Sequence, residues 1–295
     1  MIDLHMHSLF SDGMYSPENL MIKIAEKNLK AVALTDHDSV LGCERFALAG
    51  KKHNVLTIHG SELSVNYPKV SMEIVALDIP EQNLAAFAEF QKTMKNERVR
   101  VTEERLKLLD DLGMHIDRNE VFFDCDGNPR NQVGKPHVVE VMLKHGYIKN
   151  WDEGFTKYLN KGSPAYVPKN EPLFSDVIAF VSDNGAVPIL AHPIHTKKTG
   201  NDLFELFKEL KSCGLAGVEV FHSDHNKELK TEYLNMIHEL GMISAGGSDY
   251  HGGAHPDVDI GCGKGDLKVP DVIFEVIKTR EKVGAGYYSD LAKYI

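Results

Sequence analysis

Near its start the chain carries two histidines one residue apart, in Asp3-Leu4-His5-Met6-His7-Ser8. In a strand, side chains two positions apart point to the same face, so His5 and His7 present two imidazoles side by side. Neutral imidazole is a common ligand for zinc, manganese or iron. A single His-x-His pair also arises by chance, as two surface histidines near a terminus. The same residue types recur, however, in Asp12-Gly13, Thr35-Asp36-His37-Asp38, Gly60-Ser61-Glu62, Ala191-His192-Pro193 and Gly246-Gly247-Ser248-Asp249-Tyr250-His251. A set of histidine and carboxylate clusters gathered on one rim predicts a metal centre. A purely structural role explains one such cluster, not six.

What could gather them is an alternation of strands and helices. Short apolar runs predict strands over Ile2–Leu4, Ala31–Leu34, Val55–Ile58, Ile74–Leu77, Val187–Leu190, Val218–Phe221 and Ile243–Ala245. Helical spacing falls between most of them: Ser16-Pro17-Glu18 is a helix start with serine as N-cap, and Leu173–Asn184, Leu203–Leu210 and Leu229–Leu240 follow. Each polar cluster lies just after a predicted strand. In parallel α/β folds the carboxyl ends of the strands converge on one face, where active sites are built. The alternation therefore favours a parallel α/β architecture, either a barrel or an open doubly wound sheet. No Gly-x-Gly-x-x-Gly string follows the first strand and no Walker loop is present, so the usual nucleotide cradles are missing.

Residues 91–166 have a different character and read as an inserted helical cap, with residues 1–90 and 167–295 forming the main domain. Leu84–Leu112 is a long, charged helix, Asp124–Pro129 a loop, and Val138–Leu143 and Trp151–Leu159 two short helices. Arg98, Arg100 and Arg105 on the long helix read as surface charge, the first two within reach of the cleft.

Composition limits the partners. The 295 residues carry 43 acidic and 33 basic side chains, a formal net charge of −10, which gives no global field for holding a polyanion such as duplex nucleic acid. Positive charge for a phosphate would have to be local. Four scattered cysteines without a C-x-x-C pair suit free thiols in a reducing cytoplasm. No apolar run approaches the roughly 18 residues of a membrane span, and MIDLHMHS does not read as a signal peptide.

The strings DLHMHSLFSDG, ALTDHDSV, HGSELS, ILAHP, GVEVFHSDH and GGSDYHGGAHP resemble the PHP (polymerase and histidinol phosphatase) family of amidohydrolase-like enzymes. GKPHVVEVMLKHGY and KYLNKGSPAYVP in the insertion are similar to the subgroup of nucleoside 3′,5′-bisphosphate phosphatases and 5′-to-3′ exonucleases acting on short RNA. The resemblance implies a distorted seven-stranded β/α barrel with two or three divalent ions, manganese first, with zinc, ferrous iron or magnesium as alternatives. One ion would be held by His5, His7, Glu62 and Asp249, and a second by Asp12, His37 and His251. In members with three ions, Glu62 bridges to another, held by the counterpart of His192 and by a histidine in a V-H-V-L-G-like string. Glu73 stands there in this chain. A carboxylate could still ligate, favouring a hard cation, or could leave the site empty and His192 free to contact a phosphate.

From these residues the expected function is hydrolysis of a nucleotide phosphate ester (a nucleoside 3′,5′-bisphosphate, a cyclic phosphate or a short 5′-phosphorylated oligonucleotide) by a metal-bound hydroxide. His192 or His225 would donate the proton to the leaving group. Lys135, His137 and Lys169 are the candidate substrate contacts of the cap. Lys135 stands where the subgroup usually has arginine, which keeps the charge and loses the two-pronged geometry. Histidinol phosphate phosphatase, a C–N hydrolase of the wider amidohydrolase group and a non-catalytic polymerase-type module are the competing readings. The helical cap and its lysines, and the nearly full ligand set, weigh against them.

Overall fold

The apolar runs form a single seven-stranded sheet in which every strand lies beside its neighbours in sequence. The computed structural model describes residues 1–295 except Lys69, Cys125 and Ala254. The strands are β1 (Ile2–Asp3), β2 (Ala31–Leu34), β3 (Leu56–Tyr67), β4 (Val70–Leu77), β5 (Val187–Leu190), β6 (Gly217–His222) and β7 (Ile243–Gly247), in the spatial order β1-β2-β3-β4-β5-β6-β7. Beyond β1 the chain keeps to the edge of β7: the Leu4 N–H donates to Gly246 O at 3.2 Å, and the Asp249 N–H donates to His5 O at 2.9 Å. The sheet thereby curls into a nearly closed barrel, as the family resemblance implied.

Eleven α-helices are found among the described residues. In chain order they are α1 (Pro17–Glu26), α2 (Cys43–His53), α3 (Leu84–Asp111), α4 (Arg118–Phe122), α5 (Lys135–Lys144), α6 (Trp151–Glu153), α7 (Phe174–Asp183), α8 (Gly200–Ser212), α9 (Lys227–Leu240), α10 (Asp271–Thr279) and α11 (Ala285–Leu291). Local chemistry sets their ends. In α1, Ser16 Oγ accepts the Asn19 N–H and Pro17 occupies the first turn, where its missing N–H costs nothing. The left-handed Gly241 closes α9. Among the described residues no helix is long and apolar enough to cross a membrane.

One strand departs from the parallel expectation and another from its expected length. β4 runs antiparallel to both β3 and β5, while the remaining pairs are parallel. β3 is also longer than the run Val55–Ile58: it continues through Gly60-Ser61-Glu62, which lies inside the strand rather than after it. The reason is the polarity of the barrel interior. Along β3 the apolar Leu63 and Val65 join the main core, whereas Glu62 and Ser64 alternate onto the opposite, polar face. An apolar run therefore ends at Ile58 although the strand does not. Glu73 sits opposite Ser64 in the antiparallel pair, on that same face.

The long helix α3 joins two cores. Leu84, Phe87 and Met94 pack with the barrel, and Leu109 packs with Met114, Val121, Val138, Met142 and Leu159 in a separate cluster. Its buried positions, Leu84, Phe87, Gln91, Met94, Val101, Thr102, Arg105 and Leu109, stand three, four or seven residues apart except for the adjacent Val101 and Thr102, and form one stripe. Of the four cysteines, Cys43, Cys213 and Cys262 are free thiols; Cys125 lies outside the described residues.

Closure of the barrel depends on a residue without a side chain. A Cβ built on Gly247 would stand 2.3 Å from the His5 nitrogen and 2.4 Å from its Cβ, so β1 and β7 could not approach as they do. Gly247→Ala should lower stability by about 1–3 kcal/mol, the usual cost of forcing atoms into packed space. Denaturant unfolding measures it, and an unchanged midpoint would contradict this seam.

Candidate metal centre

Four imidazoles converge on one buried carboxylate. Glu62 on β3 is 0% exposed. Its Oε2 lies 3.2 Å from His5 Nε2, 3.4 Å from His7 Nε2 and 3.1 Å from His37 Nδ1, and its Oε1 lies 2.7 Å from His192 Nε2. Asp249, beyond β7, faces the same imidazoles from another side: its Oδ1 is 3.1 Å from His7 Nε2 and 3.4 Å from His5 Nε2. Asp12 stands 3.3 Å from His251 Nε2 and 3.8 Å from His37 Nε2. Glu73 on β4 is 3.4 Å from His37 Nδ1 and 3.6 Å from His192 Nε2.

Three overlapping groups offer donor atoms that all lie within 4.8 Å of one another: His5, His7, Glu62 and Asp249; His7, Asp12, His37 and His251; and His37, Glu62 and Glu73. The first is the set expected for one ion. The second adds His7 to the expected Asp12, His37 and His251. The third includes the carboxylate that replaces a histidine, with His192 beside it. The donors fit divalent cations on a further ground. His7 Nε2, Asp12 Oδ1, His37 Nδ1 and Asp249 Oδ1 are buried with no hydrogen-bond partner. Buried polar atoms normally have partners, and these four belong to donors that crowd together in the cluster. Histidine with carboxylate suits manganese, zinc or iron; the third group, richer in carboxylate, suits a harder ion.

A second layer of carboxylates holds these donors in place. Glu219 on β6 is buried, with Oε1 2.8 Å from His5 Nδ1 and Oε2 accepting the His192 backbone N–H at 2.8 Å. With Nδ1–H donated to Glu219, His5 would offer its Nε2 lone pair to a cation beside Glu62, the arrangement that orients a metal-binding histidine. Asp36 accepts Ser8 N–H and Oγ–H at 2.7 Å each and Ser11 Oγ–H at 2.6 Å, which ties down the loop carrying His7 and Asp12. Asp3 accepts the N–H groups of Ser248 and Gly261 at 2.8 Å and anchors the Asp249 loop. His192 at φ 23° and Asp249 at φ 57° adopt left-handed backbone, a conformation that persists only where surroundings impose it.

The electrostatics describe a cluster made for added positive charge. Burial alone would raise the carboxyls of Asp12, Glu62 and Asp249, yet the facing imidazoles hold all three well below the usual range. Glu73 escapes this balance: burial, and then the charge of Glu62, push it up to about 8. Burial pushes His37 down to about 4. His251 rises to about 10, because Asp12 and Asp249 outweigh its burial.

Other expected site residues are placed elsewhere. His225 is buried away from the carboxylates: its Nδ1 donates to Val220 O at 3.0 Å, and its ring packs against Tyr233 and His222. Burial, then His222, push it down to about 3, a poor setting for a proton donor. His137 lies at the start of α5, where its Nδ1 accepts the Gly134 N–H at 3.1 Å. Lys169 pairs with Glu171 at 2.9 Å, and Lys135 Nζ donates to Asn160 Oδ1 at 3.0 Å.

Arg98 ion-pairs with the buried Asp38 at 2.6 Å, and Arg100 lies exposed against Glu97 and Glu104. Arg105 corrects the surface reading outright, being 2% exposed. Arg98 and Arg105 both fall on the apolar stripe of α3, at i+4 from Met94 and Val101 respectively, and that spacing was the available signal. Glu219 and His222 were also missed. Glu219 is a polar residue inside the apolar run of β6, and His222, the last residue of the strand, brings Nε2 to 3.6 Å from Asp249 Oδ2.

Comparison with known proteins agrees with the resemblance seen in the sequence. Residues 3–127 match the PHP domain. A 3′,5′-nucleoside bisphosphate phosphatase of Chromobacterium violaceum is 27% identical over 266 residues, which is 88% of this chain and 90% of that protein. A 5′-3′ exoribonuclease of Haemophilus influenzae is 26% identical over 251 residues, 84% of this chain and 89% of that one. Among solved structures, an amidohydrolase from Chromobacterium violaceum with bound sulfate and no metal superposes with a TM-score of 0.84 over 95% of this chain and 96% of that chain, at 24% identity. That likeness shows the shared fold.

Glu219 provides a test that does not depend on turnover. Glu219→Gln keeps an oxygen for the His192 N–H but removes the charge that fixes His5. Divalent-ion affinity, read by calorimetric titration of metal-free protein, should fall about 10- to 100-fold. Unchanged affinity would mean that His5 needs no such support.

Proposed function

We propose that this chain, a PHP-domain protein, hydrolyses nucleotide phosphate esters at a centre of two to three divalent cations. The observation that carries the reading is the convergence of His5, His7, His37 and His192 on the buried Glu62, with partnerless donor atoms directed into the same space. Adjacent groups sharing one carboxylate suit a reaction in which two oxygens of one phosphoryl group must be held and neutralised together. Cations held there would lower the pKa of a water molecule towards about 7, offset the charge of the phosphoryl oxygens and stabilise the leaving oxygen.

The chain's own residues do the rest. Glu62 and Asp249 set the spacing between the groups, and Glu219 holds His5 in one tautomer. His192 has two possible uses, set by Glu73. With a cation in the third group it is a ligand; without one, its Nε2–H, held by Glu62 Oε1 at 2.7 Å, would pass to the leaving oxygen when that hydrogen bond is given up. With no cation bound, the hydrogen bond and charge of Glu62 outweigh burial and raise His192 to about 9. Among the two expected proton donors, His192 is therefore the one this reading retains.

The cap gives the substrate class. Lys169, whose Nζ donates to Ser64 Oγ on the polar face of β3 at 3.4 Å, and Lys135 would supply the local positive charge that a phosphorylated substrate requires in so acidic a chain. His137 acts by holding the N-terminus of α5 in place. The relatives named above act on a nucleoside bisphosphate and on RNA by their names, which supports a nucleotide or short 5′-phosphorylated oligonucleotide here. Manganese is the proposed ion.

Two measurements test this together. Purified protein should contain two to three divalent ions per chain by elemental analysis, and chelation should abolish hydrolysis of adenosine 3′,5′-bisphosphate. Asp249→Ala should lower kcat by several orders of magnitude with the fold retained, since it removes interactions that act on the transition state. Full activity after chelation, or near-normal kcat in Asp249→Ala, would overturn the proposal.

A further inference from the structure

Gln91, Arg98 and Gln132 of the inserted cap hold one short segment of the barrel, and that segment carries His37. Asp38, the next residue, is 2% exposed and adopts left-handed backbone at φ 46°, a conformation that persists only where surroundings impose it. Here they act from two sides. From the barrel, the Asp38 N–H donates to Glu62 O at 2.7 Å, and Asp38 Oδ1 accepts the Ser64 N–H at 2.8 Å. From the cap, the Arg98 Nε–H on α3 donates to Asp38 Oδ2 at 2.6 Å. Gln132, in the loop before α5, donates through Nε2 to Asp38 O at 2.8 Å. Gln91, also on α3, donates to Ser61 Oγ at 2.8 Å, and that hydroxyl donates in turn to Asp36 O at 3.0 Å. The backbone carbonyls on both sides of His37 are thus tied to the cap, one directly and one through Ser61.

The two glutamines are there for their N–H groups. Gln91 and Gln132 are 3% and 5% exposed, and the Oε1 of each is buried without a partner. A buried amide with half of its capacity unused costs stability that an apolar side chain of the same length would not. What the amide adds at Gln132 is a donor aimed at the Asp38 carbonyl; turned over, it would set oxygen against oxygen.

The cation groups differ in this support. His37 is a donor in the group with His7, Asp12 and His251 and in the group with Glu62 and Glu73, but not in the group of His5, His7, Glu62 and Asp249. That last group is steadied from the barrel, by Glu219 behind His5 and by Asp3 beneath the Asp249 loop. We propose that Gln91, Arg98 and Gln132 are positioning residues for His37, which couples docking of the cap to cation binding in the His37 groups while the first group fills independently. The inference rests on the metal-centre reading. Coupling of this kind is reciprocal: a docked cap that strengthens cation binding at His37 is itself held down by the cation. The centre is then complete only when the cap is in place.

Calorimetric titration of metal-free protein with manganese reads the positioning without turnover. His37→Ala identifies which binding events of the wild type depend on that histidine. Gln132→Met, which keeps the length of the side chain and removes the donor, should weaken those events by roughly tenfold, the scale of a support behind a ligand, and leave the remaining ion unchanged. Arg98→Lys, which keeps the charge, should weaken them less than Arg98→Met. Equal weakening of every ion, or no weakening, overturns the proposal.

Hydrogen exchange tests the reciprocal effect on the wild type, where no substitution can disturb folding. Manganese added to the metal-free protein should slow amide exchange in α5 and in the loop carrying Gln132. In His37→Ala the same addition should leave those amides unchanged. Unchanged exchange in the wild type overturns the coupling. If the wild type binds no manganese at all, the metal-centre reading fails and this inference with it. Manganese binding that Gln132→Met does not alter defeats the inference alone.

Discussion

A carboxylate with no exposed surface, met by four imidazoles from three segments of the chain, is the constraint on which the rest of this structure depends. Glu62 can stay ionised at that depth only because positive or polarised groups surround it, and His5, His7, His37 and His192 do so at 2.7–3.4 Å. Those histidines must in turn be carried to the same point by three different elements. β1 with its extension brings two, the segment after β2 brings one, and the segment after β5 brings another. A nearly closed barrel whose strands follow chain order meets this demand, because every segment beyond a strand then opens near the same rim.

The buried carboxylates outside the cluster make sense in the same terms. Asp3, Asp36 and Glu219 are each buried and each accept hydrogen bonds from backbone or side-chain groups next to a ligand residue. They convert flexible connections into fixed ones, at the cost of further desolvated charge. The left-handed conformations of His192 and Asp249 lie in the segments so restrained. Positioning and strain are thus two aspects of one design, in which stability is given up locally to keep donor atoms facing an interior that lacks positive charge of its own.

Much of this was legible in the sequence, and what escaped it has a physical cause. The His5–His7 pair, Asp12, His37, Glu62, His192, Asp249 and His251 all stood beside apolar runs, so type and position together marked them. β3 was cut short because its inward face is polar, and the apolar signal ends where the site begins. The reversal of β4 leaves no trace in composition, since an antiparallel strand and a parallel one can share the same apolar run. Glu219 hid within the apolar stretch of β6, where a polar residue looks like an interruption rather than a support, and His222 stood at its end, where it looked like the start of a polar loop. Arg105 was taken for surface charge on residue type alone, although its spacing from Val101 and Leu109 placed it on the buried stripe. His225, in a histidine-rich string, looked chemical and proved to be packed against Tyr233.

The account stands or falls on whether the partnerless donors around Glu62 hold cations. The most direct measurement is an anomalous-difference map from crystals grown with manganese, collected at a wavelength where manganese scatters anomalously. The account predicts peaks within coordination distance of His5, His7, Glu62 and Asp249, and of Asp12, His37 and His251, with a third beside Glu73 and His192 if that group is filled. A map with no peak in contact with Glu62, from crystals in which manganese is demonstrably present elsewhere, would contradict it.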